Sequence, residues 1–235
     1  MEAMAVESLV AALWELEGFL TKVRQPVRMD RGYSDIDVIG VNSLGDVRIC
    51  ECKATGKNSQ VYEFGKNFDE FIGHSNGHQK SWDNFLNVIP RLYEEGQKPA
   101  WLPLRHGAQK TLEIWFVSNS WCVNEATRNL AEQSFWHRIK QKFPEAVSQN
   151  ATTFRVKIRS TADIIFDAIA GVRVAGLESG RRFGHPVLDT FRELVRFSNP
   201  TLGNVIDGDA DMVRRETESK LLEALGLGTN AEGEA

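Results

Sequence analysis

Residues 34–53, SDIDVIGVNSLGDVRICECK, combine the pattern of two core strands with charges that such strands rarely carry. The apolar runs 36–42 and 47–53 flank Asn42-Ser43-Leu44-Gly45, which predicts a hairpin closed by a turn. Four charged side chains lie within or beside these runs: Asp35, Asp37, Glu51 and Lys53. Charged side chains are rarely buried unless they pair with one another or bind a metal. The stretch therefore predicts a charged site built on core strands.

The spacing of these charges predicts a metal site. Side chains alternate along a strand, so Glu51 and Lys53 share one face, and pairing across the turn brings Asp37 close to Glu51. Two adjacent carboxylates repel each other, and a divalent cation removes that cost. Oxygen ligands suit Mg²⁺ or Mn²⁺, which recruit substrate phosphates, and a neighbouring lysine can hold an attacking water. The group therefore predicts hydrolysis of a phosphodiester, with a solvated hairpin as the alternative.

The rest of the chain predicts helices and strands in alternation. Apolar spacing over residues 3–16 predicts a helix that Gly18 ends, and residues 19–29 predict a strand broken at Pro26. Further strands are expected over 111–118 and 153–159, and further helices over 57–100, 123–143 and 161–170. This order predicts an α/β fold with a mixed central sheet and helices on its faces. We expect one domain over 1–225, with a helical insertion over 57–108 and a disordered tail over 226–235.

Asp37 followed by Glu51-Cys52-Lys53 on the next strand resembles the PD-(D/E)xK phosphodiesterase superfamily, which includes many restriction enzymes and Holliday-junction resolvases. Residues 5–19, AVESLVAALWELEGF, are similar to the first helix of the resolvases, in which a glutamate near the helix start helps to bind metal. Glu7 occupies that place. Where the family has proline-aspartate, this chain has Ser-Asp-Ile-Asp, so Asp35 competes with the better-placed Asp37 as a supporting or alternative ligand.

The resemblance, which covers residues 5–56, implies a restriction-endonuclease-like fold and a Mg²⁺- or Mn²⁺-dependent endonuclease that acts on DNA in restriction, defence or repair. It implies four metal ligands and one positioning residue: the carboxylates of Asp37, Glu51 and Glu7, the carbonyl of Cys52, and Lys53 for the attacking water. Members of the family often form homodimers. RNA as the substrate remains open, as does a non-catalytic module of the same fold that binds DNA or protein. For Glu7 the alternative is an ordinary surface residue.

Basic side chains indicate where a nucleic acid would bind. Arg155, Lys157 and Arg159 share the polar side of an alternating strand and suit contacts with a phosphate backbone, with a solvated strand face as the alternative. Arg181 and Arg182 lie in a glycine-flanked loop that is consistent with DNA contact or with a plain surface turn. The net charge is −4, but residues 104–196 carry more basic than acidic side chains. A local basic face is therefore compatible with the acidic total.

Composition predicts a cytoplasmic protein. No apolar run approaches the roughly 18 residues of a membrane-spanning helix, and the amino terminus lacks the basic, then apolar, pattern of a signal peptide. Cys50 and Cys52 lie two apart in a strand and the third cysteine is distant, which argues against a disulfide framework. Two thiols are too few for a zinc site, so buried thiols in a core strand are expected.

Overall fold

The computed structural model describes residues 3–53, 87, 88, 91, 111–118, 125–142, 144, 153–174, 184–198, 215 and 219. The chain divides into two compact units, Met1–Thr161 and Ala162–Ala235. The predicted insertion, apart from residues 87, 88 and 91, and the predicted tail lie outside the described residues. A single domain over residues 1–225 stays a prediction.

The elements of the first unit are α1 (Ala3–Leu16), β1 (Phe19–Arg28), β2 (Tyr33–Asn42), β3 (Val47–Lys53), β4 (Thr111–Ser118), α2 (Glu125–Lys142) and β5 (Thr153–Ser160). Helix α3 (Thr161–Val174) begins at the boundary, and α4 (Pro186–Ser198) lies in the second unit. Among the described helices, none is long and apolar enough to cross a membrane. The order of elements confirms the predicted α/β class.

A mixed five-stranded sheet, ordered β1-β2-β3-β4-β5, forms the centre of the first unit. The β1–β2 and β2–β3 pairs are antiparallel, whereas β3–β4 and β4–β5 are parallel. The predicted hairpin is therefore confirmed as β2 and β3. Its turn is closed by the Asn42 side-chain oxygen, which accepts hydrogen bonds from the backbone N–H groups of Leu44 and Asp46. Such local side-chain bonds are the reason that asparagine favours turns.

The predicted break of the first strand at Pro26 is wrong. Strand β1 runs through Pro26, which lies opposite Asp35 of β2. A proline is tolerated here because β1 is the edge strand of the described sheet, where a missing N–H costs no ladder bond on the outer side. The backbone instead departs from strand geometry at Arg24, whose φ of 54° lies in the left-handed region. Non-glycine residues seldom adopt this region, and they do so most often at functional or strained positions.

Helices cover both faces of the sheet. Trp14 of α1 is fully buried and packs edge-on against Trp115 of β4, with ring centroids 5.4 Å apart. A Cβ at Gly40 would lie 2.9 Å from Cε3 of Trp14, so only glycine lets α1 approach the sheet this closely. The next residue of β4, Phe116, points to the opposite face and packs against Phe135 of α2, with ring centroids 4.4 Å apart. The core therefore consists of one layer on each side of the sheet.

Candidate metal centre at the end of the central hairpin

The hairpin opens at the end that carries the charged residues. The β2–β3 ladder stops at Val38 opposite Cys50, although both strands continue. Beyond that pair β2 follows β1 alone, while β3 follows β4 as far as Lys53. The two strands therefore separate beside Asp37, Glu51 and Cys52. We name this opening, with those three residues, the fork.

The carboxylate of Asp37 takes the place of a backbone partner inside the fork. The backbone N–H of Cys52 donates a hydrogen bond of 2.7 Å to Oδ2 of Asp37. A bond from a backbone N–H to a carboxylate is short and strong, and it fixes the aspartate at the point where the ladder ends. Glu51 precedes Cys52 and is only 6 % exposed. The fork thus brings a fixed, half-buried carboxylate next to a buried one.

The Cys52 thiol is buried and is affected by the charges of three carboxylates. Its contact with Cys50, at 3.6 Å between the sulfur atoms, acts to lower its pKa, but burial and the negative charges of Asp37, Glu7 and Glu51 together raise the pKa. Burial is the main cause that raises the pKa of Cys50 well above its ordinary value. Both thiols are buried and remain protonated near neutral pH, as expected for core cysteines.

Glu7 reaches this region from α1 and is held there by an arginine. It is 1 % exposed, so the alternative of an ordinary surface residue is wrong. Nε of Arg24 donates to Oε2 of Glu7 at 3.0 Å, and Nη2 donates to Oε1 at 3.1 Å. The hydrogen bond and charge of Glu7, with smaller contributions from Asp35 and Asp37, raise the pKa of Arg24. The guanidinium therefore neutralises Glu7, and the charges of Asp35 and Asp37 also act on it.

The remaining two predicted site residues differ in position. Asp35 is exposed on β2, opposite Pro26, and its charge acts on Arg24. Lys53 is the last residue of β3, in register with Ser118 of β4. Its backbone ends the strand that carries Glu51, and its side chain lies outside the described part of the structure.

The donor chemistry at the fork suits a hard divalent cation, although the side chains do not form a complete ligand set as they stand. Within the described ranges, no group of three or more His, Cys, Asp or Glu side chains could hold a metal ion. Arg24 binds both oxygens of Glu7, and the Cys52 N–H binds one oxygen of Asp37. Carboxylates from one helix and two strands nevertheless supply the oxygen donors that Mg²⁺ and Mn²⁺ prefer. The residue types at the fork therefore suit such an ion, but Glu7, in the position that the structure gives it, is engaged by Arg24.

The basic residues predicted on β5 are partly engaged with the sheet surface. Two of them lie beside Glu113: Nζ of Lys157 is 3.5 Å and Nη1 of Arg155 is 3.9 Å from Oε1 of Glu113. The guanidinium of Arg159 lies 5.8 Å from the ring centre of Trp115. Arg155 and Lys157 also line an open groove of about 620 Å³ beside α2. Of the three, Arg155 has the most exposed position. Arg181 and Arg182 lie outside the described residues.

Sequence reasoning missed Arg24 and Arg48. Arg48 binds Glu17 and donates from Nε to Oε2 of Glu113 at 2.8 Å, and its guanidinium lies 4.1 Å from the Phe19 ring centre. The available signal was Arg48 in the apolar segment VRICECK and Glu113 in TLEIWFVS, but their pairing depends on the parallel register that places the two residues opposite each other. No sequence signal indicated the contact between Arg24 and Glu7, because that contact depends on a left-handed backbone at Arg24 that the neighbouring residues do not predict.

Comparisons with known proteins do not establish a family. No protein-family model matches the chain, and no curated protein matches it. A solved structure, described as the crystal structure of a protein of unknown function, AF1548, aligns over 96 % of this chain and 99 % of that chain with 16 % identity and a TM-score of 0.33. A TM-score this low does not establish a common fold.

Proposed function

We propose that the chain is a metal-dependent nuclease of restriction-endonuclease-like fold that hydrolyses phosphodiester bonds in DNA. The observation that supports it is the fork: a sheet that opens where Asp37 accepts the Cys52 N–H, next in the chain to buried Glu51. Burying carboxylates together is costly unless they serve a cation. A purely structural hairpin has no need of this arrangement.

Each residue of the proposed site has a separate task. Asp37 and Glu51, with Glu7 and the carbonyl of Cys52, would hold Mg²⁺ or Mn²⁺. The ion, when bound, would stabilise negative charge on the phosphate oxygens. The bond from Cys52 N–H keeps the Asp37 carboxylate oriented. Lys53, at the end of the same strand, would hold the attacking water through Nζ and take part in its proton transfer.

The nucleic acid itself would lie along basic side chains outside the fork. Arg155 and Lys157 border the groove beside α2 and would neutralise backbone phosphates. Contacts of this kind position a duplex without reading its sequence. The same chemistry accepts RNA, so DNA and RNA substrates are compared in the same assay. A homodimer, with two such sites, is part of the proposal.

Cleavage of supercoiled plasmid DNA with Mg²⁺, with and without EDTA, tests the proposal. Asp37→Asn keeps an oxygen that can accept the Cys52 N–H but removes the charge, and Lys53→Ala removes the proposed proton carrier. Each is expected to lower the rate by about a hundredfold or more. Asp46→Asn, at the opposite end of the hairpin, is the matched control and should leave the rate unchanged. Metal-dependent cleavage that persists in both Asp37→Asn and Lys53→Ala would refute the proposal.

One observation favours a second candidate, a non-catalytic module that binds DNA or protein in a defence or repair assembly. Arg24 already neutralises Glu7, as expected if no metal binds. Such a module would bind DNA without Mg²⁺ and would not cleave it. Gel-shift measurements in EDTA, combined with the plasmid assay, separate the two functions.

A further inference from the structure

We propose that Arg24 is a built-in counter-ion that closes the metal centre, and that a divalent cation binds fully only after Arg24 has left Glu7. The inference rests on the proposed function, because it concerns the same site. Its evidence is the two-bond contact between Arg24 and Glu7, at 3.0 and 3.1 Å. A guanidinium that engages both oxygens neutralises the carboxylate and repels a metal ion placed beside it.

The backbone shows that this contact is imposed on the strand. Val23 lies opposite Val38 and Gln25 opposite Ile36, so regular alternation would direct Arg24 to the sheet face of Asp37. Glu7 belongs to α1, which packs on the other face. The φ of 54° at Arg24 breaks the alternation and allows the side chain to reach Glu7. The left-handed conformation costs about 1–3 kcal/mol in a non-glycine residue, so the closed state is held against strain.

The two partners differ in their freedom to move. The Glu7 side chain is 2 % exposed and fixed on a packed helix, whereas the Arg24 side chain is 50 % exposed on an edge strand. The arginine is therefore the partner that can leave without opening the core. Its departure would leave Glu7 to the ion, and the ion would then replace the guanidinium as the positive charge beside this carboxylate.

Metal affinity, measured without substrate, tests the inference. If Arg24 holds Glu7 in about nine molecules of ten, the apparent affinity is reduced about tenfold, because only the open fraction binds. Calorimetric titration of Mn²⁺ into the full chain is therefore expected to give about tenfold tighter binding for Arg24→Gln than for the unmodified protein. The control Lys22→Gln removes one positive charge from an exposed position of the same strand and should leave the affinity within about twofold.

The possible results separate this inference from the proposed function. Tighter binding in Arg24→Gln that is lost again in the Glu7→Gln/Arg24→Gln double variant supports the counter-ion. Equal Mn²⁺ affinity in the unmodified protein and Arg24→Gln overturns it and leaves the nuclease proposal intact. No Mn²⁺ binding in either protein overturns both.

A measurement on the unmodified protein covers the case in which Arg24→Gln does not fold. The Nε–H resonance of Arg24, assigned through the backbone of the ¹⁵N-labelled chain, reports its hydrogen bond to Glu7. Saturating Mg²⁺ should shift this resonance toward that of a solvated arginine. A resonance that stays unchanged while Mg²⁺ binds would overturn the inference.

Discussion

The approach of α1 to the sheet depends on residue 40, and Gly40→Ala tests how the helix carrying Glu7 is positioned. The new Cβ would lie 2.9 Å from Cε3 of Trp14 and 3.4 Å from Cδ1 of Phe19. Carbon atoms pack best at about 3.5–4.0 Å, so the first distance is short by more than half an ångström. Trp14 is fully buried between Phe19 and Trp115, with ring centroids 6.4 and 5.4 Å away, and has little room to retreat.

The cost of the substitution follows from these contacts. Inserting a methyl group into a packed core typically costs about 1–3 kcal/mol. Replacing a strand glycine by alanine returns about 0.5 kcal/mol through the lower entropy of the unfolded chain. We therefore expect Gly40→Ala to lower the free energy of unfolding by about 0.5–2.5 kcal/mol, which is about 1–10 °C in melting temperature for a chain of this size.

A double-mutant cycle assigns that cost to the contact with Trp14. Trp14→Leu removes Cε3, together with an indole N–H that finds no partner among the described residues. In this background the cost of Gly40→Ala should fall by about 1 kcal/mol, measured by urea unfolding with circular dichroism. Gly32→Ala is the control, because its strain comes from a φ of 87° with no atom within 4 Å, and its cost should be equal in both backgrounds. An equal cost of Gly40→Ala in both backgrounds would refute the packing argument.

Three further predictions concern charges. Burial alone would raise the pKa of Glu113, but Lys157 and Arg48 outweigh it and lower the pKa, so its stabilisation is present above about pH 4.3 and lost as the pH falls through the folded pKa. Glu113→Gln should therefore cost about 2 kcal/mol at pH 7 and clearly less at pH 3; a constant cost in urea unfolding would contradict this. Burial raises the pKa of Glu132, so ionisation of this carboxyl destabilises the folded protein as the pH rises through the raised pKa. The stability of Glu132→Gln relative to the unmodified protein should therefore increase with pH, which is the reverse of the trend expected for Glu113→Gln. Arg155→Ala should weaken DNA binding and reduce the slope of log affinity against log salt by about 0.9; an unchanged slope would exclude a phosphate contact.

The strands were predictable because their patterns are local. The apolar runs around the turn of residues 42–45 specify β2 and β3, and TLEIWFVS specifies β4, with errors of only a few residues at the ends. The first helix was predicted with its observed bounds because apolar spacing and Gly18 act over one or two turns. The failure at Pro26 has a tertiary reason: a proline interrupts a central strand but is tolerated on an edge strand, and the sequence alone did not show that β1 is an edge.

The sequence predicted which helix and strands carry the proposed site residues, but not the contacts that these residues make. Alternation along β3 and helical spacing placed Glu51 on a core strand and Glu7 beside the apolar face of α1, and both side chains are buried in the structure. The state of Glu7 depends on Arg24, whose contact requires a left-handed backbone at one position of a strand. Nothing in the flanking residues of FLTKVRQPVR favours that conformation. The arrangement is therefore set by the packing of α1 over the sheet.

The position of the fork follows from the topology of the sheet. Strand β3 is where the sheet changes from antiparallel pairing with β2 to parallel pairing with β4. Beyond Val38, β2 follows the edge strand β1, whereas β3 stays in register with β4 up to Ser118. The strands must separate there, and the opening lies at the carboxyl ends of the parallel strands, where open α/β sheets place their ligands. Backbone donors freed by the separation need acceptors, and Asp37 provides one for Cys52. The charges that are unusual for core strands therefore lie at the one end of the hairpin where the ladder no longer satisfies the backbone.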